Sequence, residues 1–373
     1  MKKELKRTAS ALSPAQKALR VLTSTAFATH HLHNELGPGW TAVLLEACCV
    51  RAKEQRALLP VGETLRLRLC DYGCKARGLC VGMATDAASR GSLSLITWLH
   101  SRGCPWNEDT CSCAAEGGHL DVLIYLHENG CPWNERTCSL AAKGGHLDAL
   151  IYAHENGCPW DEQTCKVAAE GGHLESLVYA HESGCPWFED SICEYAAEGG
   201  HLEAMMYARD SGCSWDEETC AFAAKGGHLS ILVYAHENGC PWDRYTCAWA
   251  ANIGRVDVLK YAHENGCPWD EGTCHNAAEG GHLDALKYAY ENGCPWNEQT
   301  CFGAAKGGYL DVLKYAHENG CPWNERTCSL AANGGHLDVL RYARRNGCPW
   351  DQSACLRNAK SEEVRAWIRT QSC

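Results

Sequence analysis

Between Cys158 and Gly184 the chain reads CPWDEQTCKVAAEGGHLESLVYAHESG, and its apolar positions fall into two short periodic stretches. Cys165, Ala168 and Ala169 stand at i, i+3 and i+4, a narrow stripe of small residues on one helical face. Asp161 suits the N-cap and Glu162 the positive end of the helix dipole. Trp160 and Cys165 then take the N′ and N4 positions of a hydrophobic staple. Gly171 and Gly172 end this first helix and let the chain reverse. In the second stretch Leu174, Leu177 and Ala180 keep one face apolar, Tyr179 broadens it, and Gly184 followed by Pro186 closes it. The pattern predicts a helical hairpin too small to bury its own apolar face.

The hairpin recurs. Cysteines equivalent to Cys158 run from Cys104 to Cys348 at 27-residue intervals, with one step of 28 at CPWFEDSIC. Stacking of neighbours must supply the core, so the predicted fold class is all-α, an α-solenoid of stacked helix-turn-helix units. A degenerate first copy starts at Arg77, nine regular copies follow, and the last is polar. Arg357, Lys360, Glu362 and Arg365 suit a solvent-facing cap. Residues 77–373 are therefore expected to form one solenoid of about eleven repeats. Residues 1–76 are expected to be a basic region, partly disordered, with one or two helices. Residues 41–57 read as a helix ending before Pro60, and the Leu65–Leu69 alternation fits strand or helix.

The segment TCSCAAEGGHLDVLIYLHENGCPWN, from Thr110, resembles the ankyrin helix pair in its AA-x-GGHL-D-x-L-x-Y core and closing E-N-G. With Cys111 at the Leu position of the TPLH signature and units six residues short of the ankyrin length of about 33, the repeats are identified as ankyrin-like, or pseudo-ankyrin, of CPW[DN] type. The missing residues fall in the β-finger between units. The resemblance implies shortened fingers and, because ankyrin repeats usually bind other proteins, a protein–protein interaction scaffold.

Composition narrows this further. With 45% apolar and 21% charged residues the chain is globular, and no run of about eighteen apolar residues predicts a membrane span. Residues 1–80 carry 13 Lys/Arg against 6 Asp/Glu, net +7, and the remainder 21 against 40, net −19. An acidic array is poorly suited to a phosphate backbone, so a protein partner is expected and a nucleic acid is not. A membrane is not expected as a partner either, and the chain is expected to be a monomer. The basic start, residues 1–34, reads as a flexible terminus, with an organelle-targeting segment as its alternative. Twenty-seven cysteines without a secretory signal, twenty of them explained by two repeated positions, point to a reducing compartment, cytoplasmic or nuclear.

The repeated cysteines and histidines invite a metal or redox reading, which the chain's own substitutions oppose. The first His column contains Arg255 and Tyr309, and the second contains Arg209, Tyr290 and Arg344. Arginine does not ligate zinc, and Ala84 replaces a cysteine in the first copy, so the cysteines read as small packing residues and no cofactor is expected. Disulfides are not expected, because neighbouring units about 8–10 Å apart exceed the bridging distance of about 7 Å. An isolated zinc site from His30, His31, His33, Cys70, Cys74 and Cys80 has no recognisable spacing. No P-loop, dinucleotide fingerprint, nucleophile elbow or HExxH occurs, and the chain is not expected to be an enzyme.

Function is then expected where the copies differ on exposed positions. Two residues after the second cysteine the column reads Cys113, Leu140, Val167, Tyr195, Phe222, Trp249, Asn276, Gly303, Leu330. In an ankyrin-like stack it faces the concave groove, so Tyr195, Phe222 and Trp249 are candidate partner-binding aromatics. On the second helix, the residue before the repeated Tyr gives an apolar stripe of Ile124, Ile151, Val178, Met206 and Val233, a second candidate surface, before changing to Lys260, Lys287 and Lys314. The alternatives are packing between neighbouring helices, a substrate-recruiting adaptor such as a ubiquitin-ligase subunit docking through residues 1–76, and a thiol-rich metal or redox protein.

Overall fold

The structure, a computed structural model, describes residues 75–187 and 191–371. The expectations placed on residues 1–74, and the side chains of the amino-terminal His/Cys cluster, lie outside the described residues. Among the described residues there are twenty-two helices and no strand, arranged as successive ankyrin-like pairs. They fall into two compact units. One runs to Cys165 and includes Tyr179–Cys185; the other comprises Lys166–Val178 and Pro186–Cys373.

Within the first unit the pair Glu135–Lys143 and Leu147–Glu155 shows the local logic. Asn134 is extended and its Oδ1 accepts the backbone N–H of Arg136 at 3.1 Å, satisfying one of the helix's orphan donors. Cys138, Ala141 and Ala142 are fully buried. The second helix ends with Gly157 at φ +84°, where the N–H of Cys158 returns to the carbonyl of Ala153 at 2.9 Å, a left-handed glycine stop. In the second unit Asp216 and Asp243 cap Glu217–Gly226 and Arg244–Asn252 in the same way. Among the described residues, the segments joining one pair to the next contain no strand, in keeping with a shortened finger.

Small residues set the packing. In each unit successive first helices meet along much more of their length than successive second helices do. Their buried faces are mostly Cys, Ala and Thr, with Ser112 and Ser139 among them and Ile192 a large exception, and the small volumes let backbones approach closely. The second helices contribute the large side chains, among them Leu123, Leu126 and Leu150 in the first unit and Leu232 and Leu259 in the second.

The Trp of each CPW segment is half-buried, and its ring has partners beyond the staple anticipated for Trp160. Its ring lies flat on His154 of the preceding second helix, 3.6 Å between centroids at 14°, and meets Tyr179 edge-on at 6.2 Å. Where the histidine is replaced, a planar group still covers the indole: Arg209 over Trp215 at 3.5 Å, Tyr290 on Trp296 at 3.7 Å, and Arg344 over Trp350 at 4.4 Å. The second His column selects flatness, not metal ligation.

The last helix pair, Gln352–Asn358 and Glu362–Thr370, exposes Arg357, Lys360 and Glu362 while burying Val364 and Ile368. Glu362 pairs with Arg365 and Arg369 at 3.5 and 3.1 Å. Such a surface suits the end of a stack.

Candidate partner-binding cleft

In the second unit the first helices Glu217–Gly226 and Arg244–Asn252 carry Phe222 and Trp249 in adjacent repeats. Both line a cleft of about 340 Å³ whose floor is Ala221. Trp249 is 38% exposed, unusual for an indole in so alanine-rich a structure. Tyr195, one repeat earlier, is half-buried outside this cleft, with the Lys166 ammonium 4.2 Å from its ring. Of the three aromatics anticipated as a ladder, the structure thus brings two together.

The residue completing the cleft is Tyr245, which the reading of the columns did not single out. It stands at the second position of its helix, where its N–H donates to Asp243 Oδ1 at 2.9 Å, and its side chain is 53% exposed. Its signal was present: the equivalent residues are Asp109, Arg136, Gln163, Glu218, Gly272, Gln299 and Arg326, none apolar apart from the glycine. Tyr245 also forms a wall of a second hollow of about 240 Å³, floored by Ala248 and Gly272.

The rim is acidic. Glu217, Glu218 and Asp243 border the first hollow, and Asp270 and Glu271 the second. The two lining cations already have acidic neighbours, Lys225 with Glu198 at 2.8 Å and Arg244 with Asp270 at 3.3 Å.

The second-helix stripe is less open. Ile124 and Ile151 in the first unit, and Val178 and Val233 in the second, are half-buried, while Met206 is 38% exposed. In the same column Lys260 pairs with Glu264 at 3.7 Å, and Lys287 and Lys314 lie over the rings of Tyr315 and Tyr342.

The repeated thiols are structural. Cys158, Cys185, Cys240 and Cys294 donate to the carbonyls of the preceding repeat's N-cap residues at 3.1–3.2 Å. The second cysteine of each repeat also reaches the first cysteine of the next: hydrogen bonding to Cys185, with burial, pushes the Cys165 thiol well above its ordinary value. This cross-repeat contact is closer than the interaxial spacing suggested, because the first cysteine lies on the inter-repeat segment instead of a helix axis. Both remain thiols. Among the described residues, no three His, Cys, Asp or Glu side chains are grouped to hold a metal. No helix among them is long and apolar enough to cross a membrane.

The first His column has its own role. His228 Nε2 lies 3.0 Å from the carbonyl of Glu198 at the end of the preceding first helix, and its ring fills the space beside Gly200 and Gly226. The glycine pair therefore makes room for an imidazole as well as turning the chain.

No family model and no curated protein match the chain. Among solved structures it is similar to the human ASB11 ankyrin repeat domain, with 16% identity, covering 48% of this chain and 99% of that one, at a TM-score of 0.39. It is also similar to the pentatricopeptide repeat protein PPR10 in complex with an 18-nt psaJ RNA element, with 14% identity, covering 98% of this chain and 67% of that one, at the same TM-score. At that score neither likeness bears on function, and the helix pairs of the chain itself define its all-α repeat fold.

Proposed function

We propose that the chain is a non-catalytic protein-interaction scaffold, with residues 77–373 acting as one ankyrin-like array and a partner protein engaging its first-helix surface. The observation that carries this reading is the cleft of Phe222, Tyr245 and Trp249, where aromatic side chains stay open to solvent in repeats whose other columns are filled by packing. Exposed Trp and Tyr in a concavity are the residues that anchor interfaces. The acidic rim favours a protein over a nucleic acid as partner. Buried, protonated thiols suit a reducing compartment, hence the cytoplasm or nucleus, and a monomer is the proposed state. In the adaptor form of this reading, the net +7 of residues 1–80 would recruit machinery that the acidic array does not.

Affinity capture with the full chain tests it. The variant with Tyr195, Phe222 and Trp249 all changed to Ala should lose the main partner while keeping its circular dichroism. Changing Lys260, Lys287 and Lys314 to Ala should leave capture intact. A folded aromatic variant that captures the same partner at the same level would overturn the reading.

A further inference from the structure

The chemistry around Trp249 specifies a guest more narrowly than "protein". Lys225 places its ammonium 5.1 Å from the Phe222 ring and 5.6 Å from the Trp249 ring, so the chain already sets one of its own cations on this aromatic pair. Elsewhere it sets guanidinium groups over indoles, Arg209 on Trp215 at 3.5 Å and Arg344 on Trp350 at 4.4 Å. Around the pair, Glu217, Glu218 and Asp243 give the hollow an acidic rim. Beyond Tyr245 the second hollow repeats the theme with Asp270 and Glu271, and Gly272 leaves it open where other copies carry a side chain.

We propose that this cleft binds arginine side chains of an extended basic peptide, an inference that rests on the interaction-surface reading and names its ligand class. One guanidinium lies over Phe222 and Trp249 against Glu217 and Glu218. The second enters the hollow beyond Tyr245, near Glu271. Neighbouring repeats are spaced by the helix packing distance of about 8–10 Å. A polyproline-II segment brings every third residue to the same face about 9 Å further on, so the recognised spacing is Arg-x-x-Arg. Lys225, held by Glu198 at 2.8 Å, is the internal competitor that the first guanidinium replaces over the two rings.

The test is fluorescence anisotropy with the full chain and four dye-labelled probes. Three are Gly/Pro/Ser dodecapeptides carrying Arg, Leu or Glu at positions i and i+3; the fourth is a twelve-nucleotide RNA. The Arg peptide should bind best, and more weakly as salt rises from 50 to 500 mM. Trp249→Ala should weaken it about tenfold with unchanged circular dichroism. Lys225→Gln should tighten it about two- to fivefold by removing the resident cation. If the Leu peptide binds at least as well and ignores Lys225→Gln, the cation proposal falls while the interaction surface stands. Binding of the Glu peptide or the RNA that Lys225→Gln abolishes overturns it in favour of an anionic guest. No peptide binding by the folded chain also overturns it, and the broader reading is then decided by capture with the triple aromatic variant.

Discussion

His154 and Trp160 lie face to face, 3.6 Å between ring centroids and 14° from parallel, while His154 Nδ1 sits 3.0 Å from the hydroxyl of Tyr179. The end of one second helix is thereby fastened to the loop and second helix that follow. Arg209 and Arg344 make the same stack with a guanidinium, so His154→Arg should cost less than about 0.5 kcal/mol. His154→Ala loses both the stack and the polar contact, about 1–2 kcal/mol. Trp160→Ala should cost about 3 kcal/mol, the low end for an aromatic because the ring is only half-buried. Urea unfolding gives the magnitudes. Hydrogen exchange should show the loosening in that repeat and its immediate neighbours, and uniform loosening would count against a stack of nearest-neighbour contacts.

Glycines separate two roles that look alike in sequence. Gly118 and Gly130 both have positive φ, +69° and +79°. A Cβ at Gly118 would run into the imidazole of His146, whereas at Gly130 it would meet nothing within 4 Å. Gly130→Ala should cost only the left-handed backbone penalty, about 1–2 kcal/mol. Gly118→Ala should cost clearly more, because His146 must also leave its place. Thermal melts of the two variants, compared side by side, check the ordering.

Much of this architecture was legible in the chain, since the 27-residue period, the Asp161 cap and the Gly171–Gly172 stop follow from local rules that tertiary context reinforces. Three features were not. The ring partners of Trp160 lie on the preceding and following second helices, out of reach of reasoning confined to its own helix and Cys165. The Cys165–Cys185 contact was hidden because helix-axis spacing does not locate a loop residue. Tyr245 was passed over because its column is otherwise solvent-facing, and only the structure shows it walling a cleft with Trp249.

Acid should loosen the second unit through His201. Burial, then the neighbouring His173 and His228, holds His201 below its ordinary value of 6.5. The unfolded chain therefore binds the proton first, so this stabilisation is full above about pH 6.5 and is lost as pH falls below it. The effect of one imidazole is under about 1 kcal/mol, reduced by solvent screening. His201→Tyr, which places there the residue found naturally as Tyr309, should flatten the profile between pH 7.5 and 5.5. An unchanged slope in that variant would show that His201 is not its source.

Alkali should unfold the chain through its thiols, and this is the sharper pH test. Hydrogen bonding to Cys158 and burial push Cys138 well above its ordinary value of 9.0, and Cys220, Cys247, Cys274 and Cys301 are raised in the same way by Cys240, Cys267, Cys294 and Cys321. Folded, these groups keep their protons where the unfolded chain gives them up. Their contribution is complete below pH 9 and declines as pH rises beyond it, by up to about 1.4 kcal/mol per pH unit for each thiol. Urea midpoints should fall steeply from pH 8.5 to 10. At neutral pH the same burial should keep these thiols unreactive to iodoacetamide until the chain unfolds. Cys113 is the exception among the described cysteines, only half-buried, and although burial and Glu116 raise it too, it should be alkylated first. Rapid labelling of Cys138 or Cys247 in the native protein, or a midpoint indifferent to pH in that range, would show that the thiols are not the protonated packing residues described above.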